Sequence, residues 1–477
     1  MQLPEEIQSI LQTLHQNEYE GFAVGGCVRD LLLKKTPYDW DITTNARPEK
    51  LQELFPESFY ENTFGTVTIK TGSESPSLAE VQVTPYRTEA KYTDKRHPDV
   101  IDFADKLEDD LSRRDFTVNS IALGLDGELR DLFSGQIDLK KKLIRTVGAP
   151  DERFTEDALR LLRAVRFATV LDFEIEADTL ASIKRHAASL KSISVERIRD
   201  ELVKIVNASR AYEGVQLLEA TGLLEYVLPE LREGIGIEQN LHHIYTVWEH
   251  NLRALQYTAE KNYSFEVRMA SLLNDVGKPA TKRGEGKNCT FYGHDVVGAR
   301  QTKQLMERLK FPQDVRDKVT LLVRYHMFYY NVGEVTESSV RRLLVNVGPE
   351  NIEDLLKLRE ADRIGSGTPK AVPYKLRHLK YIIDKVSHDP ISVKMLKIDG
   401  HGLMQTLGVP PGPKIGLILN SLLAEVLDDP TKNTEEYLSG RAQELSEKSP
   451  EELKEALEKI EEARQKEEEE RMKKYYV

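Results

Sequence analysis

The stretch "GFAVGGCVRDLLLKKTPYDWDITTN" (21–45) constrains the fold of this chain more than any other. A short apolar run ends in Gly25 and Gly26, a helix-forming segment follows at once, and a second β-branched run comes after it. That order predicts a strand over 21–26, a helix over 27–35 and a further strand at "WDITTN". Paired glycines let backbone approach a ligand closely. A helix starting near Cys27 would aim free N–H groups and the positive end of its dipole at a phosphate. Asp39 and Asp41 lie one residue apart, so on a strand they share a face and repel each other. A divalent cation offsets that repulsion, and Mg²⁺ suits the pair because it takes oxygen ligands and leaves positions for phosphates. Arg29 adds a planar donor fork for phosphate. Together these parts describe metal-assisted transfer from a nucleoside triphosphate. Taken singly, Gly–Gly reads as a turn and Asp–x–Asp as two exposed surface aspartates.

The rest of the chain divides by periodicity. Ile7, Ile10, Leu11 and Leu14 form one helical stripe within residues 4–17. "FGTVTIK" (64–70) and "LAEVQVTPYR" (78–87) alternate as strands. From "ERFTEDALRLLRAVRFA" (152–168) onward the period is that of helices. The expected fold class is therefore α+β: a mixed α/β head over 1–145, then a helical neck (146–208), body (209–385) and tail (386–477). "GVPPGPKIG" (408–416) breaks two helices in the tail, and the charged C-terminal run has only a thin stripe of Leu453, Leu457 and Ile460.

A formal net charge of −12 argues against indiscriminate nucleic-acid binding but leaves room for a local basic cleft. No apolar run reaches the ~20 residues of a membrane helix, and the acidic N-terminus "MQLPEEIQSILQTLHQNEYE" lacks a signal-peptide core. Two distant cysteines, Cys27 and Cys289, give no disulfide framework. The expectation is a cytoplasmic protein with no membrane partner.

"AVGGCVRDLLLKKTPYDWDITTNARPEKL" resembles the head motif of class II tRNA nucleotidyltransferases, the CCA-adding enzymes and their bacterial poly(A) polymerase relatives. The likeness continues through "LEDDLSRRDFTVNSIAL" (107–123), "DLFSGQIDLKKKLIRTVGAPDERFTEDALRLLRAVRFA" (131–168) and "ISVERIRDELVKI" (193–205). It implies a polymerase-β-like nucleotidyltransferase head and a reaction in which an RNA 3′-hydroxyl attacks the α-phosphate of CTP or ATP and releases pyrophosphate. The implied partners are a tRNA 3′ end, CTP and ATP, and the implied cofactor is Mg²⁺ held by Asp39 and Asp41. Gly26 and Arg29 would hold the triphosphate, while Arg114 and Asp115 would face the nucleotide. Asp157 and Arg160 would read the base edge, and Arg163 and Arg166 would face the triphosphate. From periodicity alone, Glu156, Asp157, Arg160, Arg163 and Arg166 equally describe a salt-bridged amphipathic helix.

The chain departs from the family pattern at Gln82, where an acid is usual, with Glu80 two residues earlier. The stretch "RTEAKYTDKRHPDVIDF" (87–103) resembles the family's flexible loop, whose presence favours adding A as well as C. A-only addition and poly(A) synthesis stay open as alternatives, and sequence does not fix the oligomeric state.

A second set, His250, Asp275, His294, His326 and Asp362, resembles the metal ligands of HD-type phosphohydrolases. Asn274 stands where that family has His, and a neutral amide is a poor replacement for imidazole. The resemblance therefore implies a degenerate body that carries RNA, with hydrolysis the lesser alternative.

Overall fold

The computed structural model describes residues 3–60, 65–90, 100–240, 244–328 and 330–475. The chain forms two compact units, Met1–Arg232 with Leu305–Phe311, and Glu233–Gln304 with Pro312–Val477.

The first unit is built on a mixed sheet. Its strands are β1 (Gly21–Val24), β2 (Asp41–Thr44), β3 (Ser58–Tyr60), β4 (Val67–Lys70) and β5 (Glu80–Pro85). A β6–β7 hairpin (Arg87–Ala90 and Val100–Phe103) follows, then β8 (Ala122–Leu123) and β9 (Leu129–Arg130). The hairpin stands apart from the seven-stranded sheet, whose order is β3-β4-β5-β2-β1-β8-β9. β2 runs parallel to β5 and antiparallel to β1. The Glu5–Gln16 helix buries Ile7, Ile10, Leu11 and Leu14, the stripe expected from sequence. Gly21 lets β1 approach that helix, since a Cβ there would lie 2.8 Å from Leu14 Cδ1. Ala23, Val24, Ile42, Val67, Val81 and Val83 are buried in the sheet, and only β5 alternates buried with less buried residues along its length.

This topology sets the exit of β1 beside the entry of β2, because Ala23 pairs with Ile42. One expectation needs correction. β2 begins at Asp41, and Asp39 sits in a bend before it, so the two carboxylates do not share a pleated strand face. Buried Trp40 anchors the bend from the inside while Tyr38 and Asp39 stay exposed. Residues 91–99 of the expected loop lie outside the described residues.

Beyond the sheet the unit is mostly helical, with one small parallel pair of strands at Leu143–Ile144 and Glu174–Ile175. The Leu159–Leu171 helix packs on the Val195–Val206 and Ala211–Ala220 helices. Residues 209–232, expected with the body, thus belong to this unit.

The second unit's elements are helices, among them Val247–Glu260, Phe265–Leu273, His294–Arg308, Gln313–Tyr325 and Ile352–Gly365. A further apolar cluster joins Leu376, Leu379, Leu403, Ile418, Leu422 and Leu438. The break at 408–416 is a helix-to-helix turn: Gly408 ends Gly400–Leu407 with a φ of 64°, and Pro413 opens Pro413–Asp428. The C-terminal helix Pro450–Tyr475 is anchored by fully buried Leu453, while Ile460 is 39% exposed.

Candidate active site

β1 delivers its chain end to Gly25, whose φ of +83° marks the left-handed region in which a side chain is strained. A Cβ there would lie 3.2 Å from Arg114 Nη1, which leaves little space for one. The seven-residue Gly26–Leu32 helix follows, with Gly25 as its N-cap. Gly25, Gly26, Arg29, Asp39 and Asp41 line one face of a cavity of ≈ 550 Å³. That volume falls within the ~300–1,000 Å³ of small-molecule sites.

The rest of the lining comes from the head and the neck together. Arg113, Arg114, Asp115, Asp157, Arg160, Arg163 and Arg166 face the same cavity. Every residue expected at the site thus lines one space. Its wall carries nine basic side chains against four carboxylates. On a chain of net charge −12, this is the local basic cleft that a triphosphate requires.

The carboxylates divide into two kinds. Burial pushes the Asp41 carboxyl up to about 6; Arg114 opposes the shift and the neighbouring Asp39 adds to it. Asp110 and Asp115 go the other way. Burial would raise Asp110, but Arg114 and Arg113 hold it at about 2; Arg113 Nη2 donates to Oδ1 at 2.5 Å and Arg114 Nη2 to Oδ2 at 3.0 Å. Burial would also raise Asp115, which Arg163 and then Arg160 hold at about 2, with Arg163 Nε donating at 2.7 Å. Asp115 further accepts from the Phe116 amide and from Asn119.

These opposite shifts have opposite consequences for stability. Asp110 and Asp115 stabilise the fold fully above pH ~4, and their contribution is lost as pH falls toward 2. Asp41 costs stability as pH rises from ~4 through 6, because the folded chain there holds a proton that the unfolded chain releases. In metal-free buffer at pH 7.5, Asp41→Asn therefore raises the thermal midpoint, by up to about 3 kcal/mol of stability. Calorimetry checks the sign, and a lowered midpoint would contradict it. Asp110→Ala strands two guanidinium groups beside a fully buried position and lowers stability by about 3–5 kcal/mol, measurable by urea unfolding.

Residues 152–168 are not the one amphipathic helix that their period describes. Asp157 is the C-cap of the Pro150–Glu156 helix, and the next helix begins at Leu159. The Arg160 amide donates to the Asp157 carbonyl oxygen at 3.0 Å. Arg197 of the Val195–Val206 helix grips Asp157 with Nη2–Oδ2 at 2.7 Å and Nη1–Oδ1 at 3.3 Å. Arg160 donates to Glu156 Oε2 at 2.5 Å and to the Arg113 carbonyl at 2.9 Å. Arg166 pairs with buried Glu201 at 2.8 Å and lies 3.6 Å from the Phe167 ring centroid. Arg29 donates to Asn119 Oδ1 at 2.7 Å and also stacks on Phe167.

Sequence reasoning missed Asn119, Phe167, Arg197 and Lys204 as lining residues. Phe167 and Arg197 sit inside motifs already quoted, and Phe167 lies one helical turn from Arg163. Gln82 pairs across the sheet directly with Asp41, and Glu80 pairs with Lys70. Neither is among the residues that line the cavity.

In the second unit the HD-like residues do converge. Asp275, His294 and His326 form one group of donor atoms, and His250, Asp275 and Asp362 another, all buried. Asn274 Nδ2 lies 3.2 Å from His250 Nε2 and 3.3 Å from Asp362 Oδ1. His242 and His243 lie outside the described residues.

A mixed-sheet head whose Gly–Gly turn and Asp–x–Asp share a basic cavity defines a nucleotidyltransferase. The comparisons carry this further. The model "Poly A polymerase head domain" matches residues 21–145, "Probable RNA and SrmB- binding site of polymerase A" matches 172–235, and "tRNA nucleotidyltransferase domain 2" matches 294–442. A CCA-adding enzyme of Limosilactobacillus reuteri is 32% identical over 457 residues, 94% of this chain and 99% of that one. One of Lactobacillus helveticus is 47% identical over 219 residues, 46% of this chain and about half, 54%, of that relative. The crystal structure of the Bacillus stearothermophilus CCA-adding enzyme in complex with CTP superposes with a TM-score of 0.69 at 27% identity, covering 94% of this chain and 98% of that one. The chain belongs to the CCA-adding enzyme family.

Proposed function

We infer that this chain adds C, C and A to the 3′ end of tRNA from CTP and ATP, without a nucleic-acid template. The observation that carries the reading is one basic cavity lined by both the Asp39/Asp41 pair and the Asp157/Arg160 pair. The first pair belongs to chemistry and the second to choice of base, so both fall within reach of one bound nucleotide.

The chain's own groups account for most of the work. Arg29, held by Asn119 and Asp30, presents a fixed guanidinium to the phosphates, and Gly26, where a Cβ would lie 3.6 Å from Arg29 Nη2, keeps the space beside it open. Arg163 and Arg166 are locked by Asp115 and Glu201, so their charge needs little reorganisation when phosphate arrives. Asp157 can accept from an exocyclic amino group, while Arg160 can donate to a ring nitrogen or carbonyl. Positioning of this kind, with electrostatic support, is what phosphoryl transfer demands of a protein.

Asp39 and Asp41 would hold the divalent metal, taken to be Mg²⁺. The raised Asp41 carboxyl fits that role, because a buried carboxylate beside a second one lacks enough local positive charge to ionise fully. When bound, the metal would lower the cost of charge on the attacking and leaving oxygens. Two free, buried cysteines accord with a reducing cytoplasm. Among the described residues no helix is long and apolar enough to cross a membrane.

Arg197→Ala removes the clamp on Asp157. Expected is a rise in KM for CTP and ATP of about 10-fold, with kcat changed less, because orientation of the reading group is loosened and the metal pair is untouched. Steady-state kinetics with each nucleotide checks the split.

The defining experiment offers tRNA that ends before CCA with CTP alone, ATP alone, then both. Mass spectrometry should show two added C residues, then none, then CCA. Addition of A alone would point instead to an A-adding enzyme, and long A tracts to a poly(A) polymerase.

A further inference from the structure

We propose that Phe167 is a positioning residue for the triphosphate: its ring gathers Arg29, Arg163 and Arg166 into one array of guanidinium groups set to face the phosphates. The inference rests on the reading of the head cavity as the nucleotide site. A buried phenylalanine on a helix is ordinarily core, and Phe167 differs in what surrounds it. It is only 4% exposed, yet it lines the cavity. The guanidinium carbon of Arg166 lies 3.6 Å from the ring centroid, and those of Arg29 and Arg163 each lie 5.3 Å from it. Contacts of this kind occur roughly once per 70–80 residues, so three on one ring exceed what core packing delivers.

The cations reach the ring from two elements. Arg163 and Arg166 share the Leu159–Leu171 helix with Phe167, and Arg163 stands one turn before it. Arg29 comes from the Gly26–Leu32 helix, which opens directly after the Gly25 turn. Fully buried Phe116 meets the ring in a T-shaped contact, with centroids 5.7 Å apart and planes at 79°, and so props it from the core side. One ring therefore ties the glycine turn of the head to the arginines of the neck.

Three like charges this close repel one another, and two kinds of partner offset the repulsion. Asp30 and Asn119 hold Arg29, Asp115 holds Arg163 and Glu201 holds Arg166. The ring adds attraction through its negative face. A carboxylate at its place would cancel charge and compete with phosphate oxygens for the N–H donors. An aliphatic side chain would fill the space without attracting any of the three. The aromatic ring instead leaves the array positive and pre-arranged for phosphate. Because CTP and ATP carry the same triphosphate, its effect falls on both alike, unlike that of Asp157.

The test is calorimetric binding of inorganic tripolyphosphate to the full chain in metal-free buffer, with Phe167 replaced in turn by mono-, di-, tri- and pentafluorinated phenylalanine. Fluorine withdraws electron density from the ring face and changes its shape little. The expected result is a stepwise fall in affinity that reaches about 10-fold with the pentafluorinated ring. Phe167→Leu should lose as much, and its KM for CTP and ATP should rise by one common factor with kcat changed less. Equal affinity across the fluorinated series would overturn the proposal and leave Phe167 as packing. That series decides even where Phe167→Leu fails to fold. A wild-type chain that binds neither tripolyphosphate nor CTP would sink the reading of the cavity and this proposal with it, whereas binding indifferent to fluorine sinks this proposal alone.

Discussion

Asp39→Ala and Asp41→Ala should each cut nucleotide addition by on the order of 10³-fold or more, while tRNA binding persists. The magnitude follows from several kcal/mol of transition-state stabilisation expected of a metal at the site proposed for these carboxylates. Persistence of tRNA binding follows from location, because the pair lies at the junction of β1 and β2 inside the nucleotide cavity. The two substitutions should differ in one respect. Asp41 bears the raised carboxyl, so wild-type activity should fall as pH drops below about 6 at limiting metal and recover with added metal. Asp41→Glu should keep part of that profile and Asp41→Asn none. Single-turnover addition read on a sequencing gel measures all of these, and a double variant with full activity would refute the assignment.

The second large effect concerns choice of nucleotide. Asp157→Ala should shrink the preference for CTP and ATP over UTP and GTP by ~10- to 100-fold, the value of one good polar pair at a base edge. Two observations set the expectation. Asp157 lies at a helix boundary in the cavity wall, and Arg197 holds both of its oxygens. Loss of the carboxylate also strands Arg197, so some general weakening should accompany the change in selectivity. Competition assays with mixed nucleotides separate the two, since only a base-reading role alters the ratio. Unchanged ratios with weaker binding of all four would leave Asp157 as a positioning residue.

Much of this site was legible before any coordinates, for identifiable reasons. The order of strand, Gly–Gly, helix and Asp–x–Asp is local in sequence and local in space, so Gly26, Arg29 and Asp41 fell where the pattern placed them. The α+β division followed from a change of period that no tertiary contact reversed. Asp39 went wrong by one element because Trp40, a strong strand former, is buried as the anchor of a bend. The pairing of Asp157 was illegible for a different reason. Spacing along one helix predicts neighbours within that helix, whereas Arg197 arrives from another 40 residues on. Asn119 escaped notice because nothing in a lone amide signals that it will orient Arg29. In the second unit His250, Asp275, His294, His326 and Asp362, distant in sequence, gather in two overlapping groups, and Asn274 lies between His250 and Asp362.

The central claim is that the head cavity holds the incoming triphosphate with its metal on Asp39 and Asp41. Its most direct test is a crystal structure of the full chain soaked with CTP and Mn²⁺, using anomalous scattering to find the metal. The account predicts an anomalous peak within coordination distance of both carboxylates, with phosphates beside Arg29 and the base facing Asp157. A nucleotide bound elsewhere, with no peak at that pair, would contradict it.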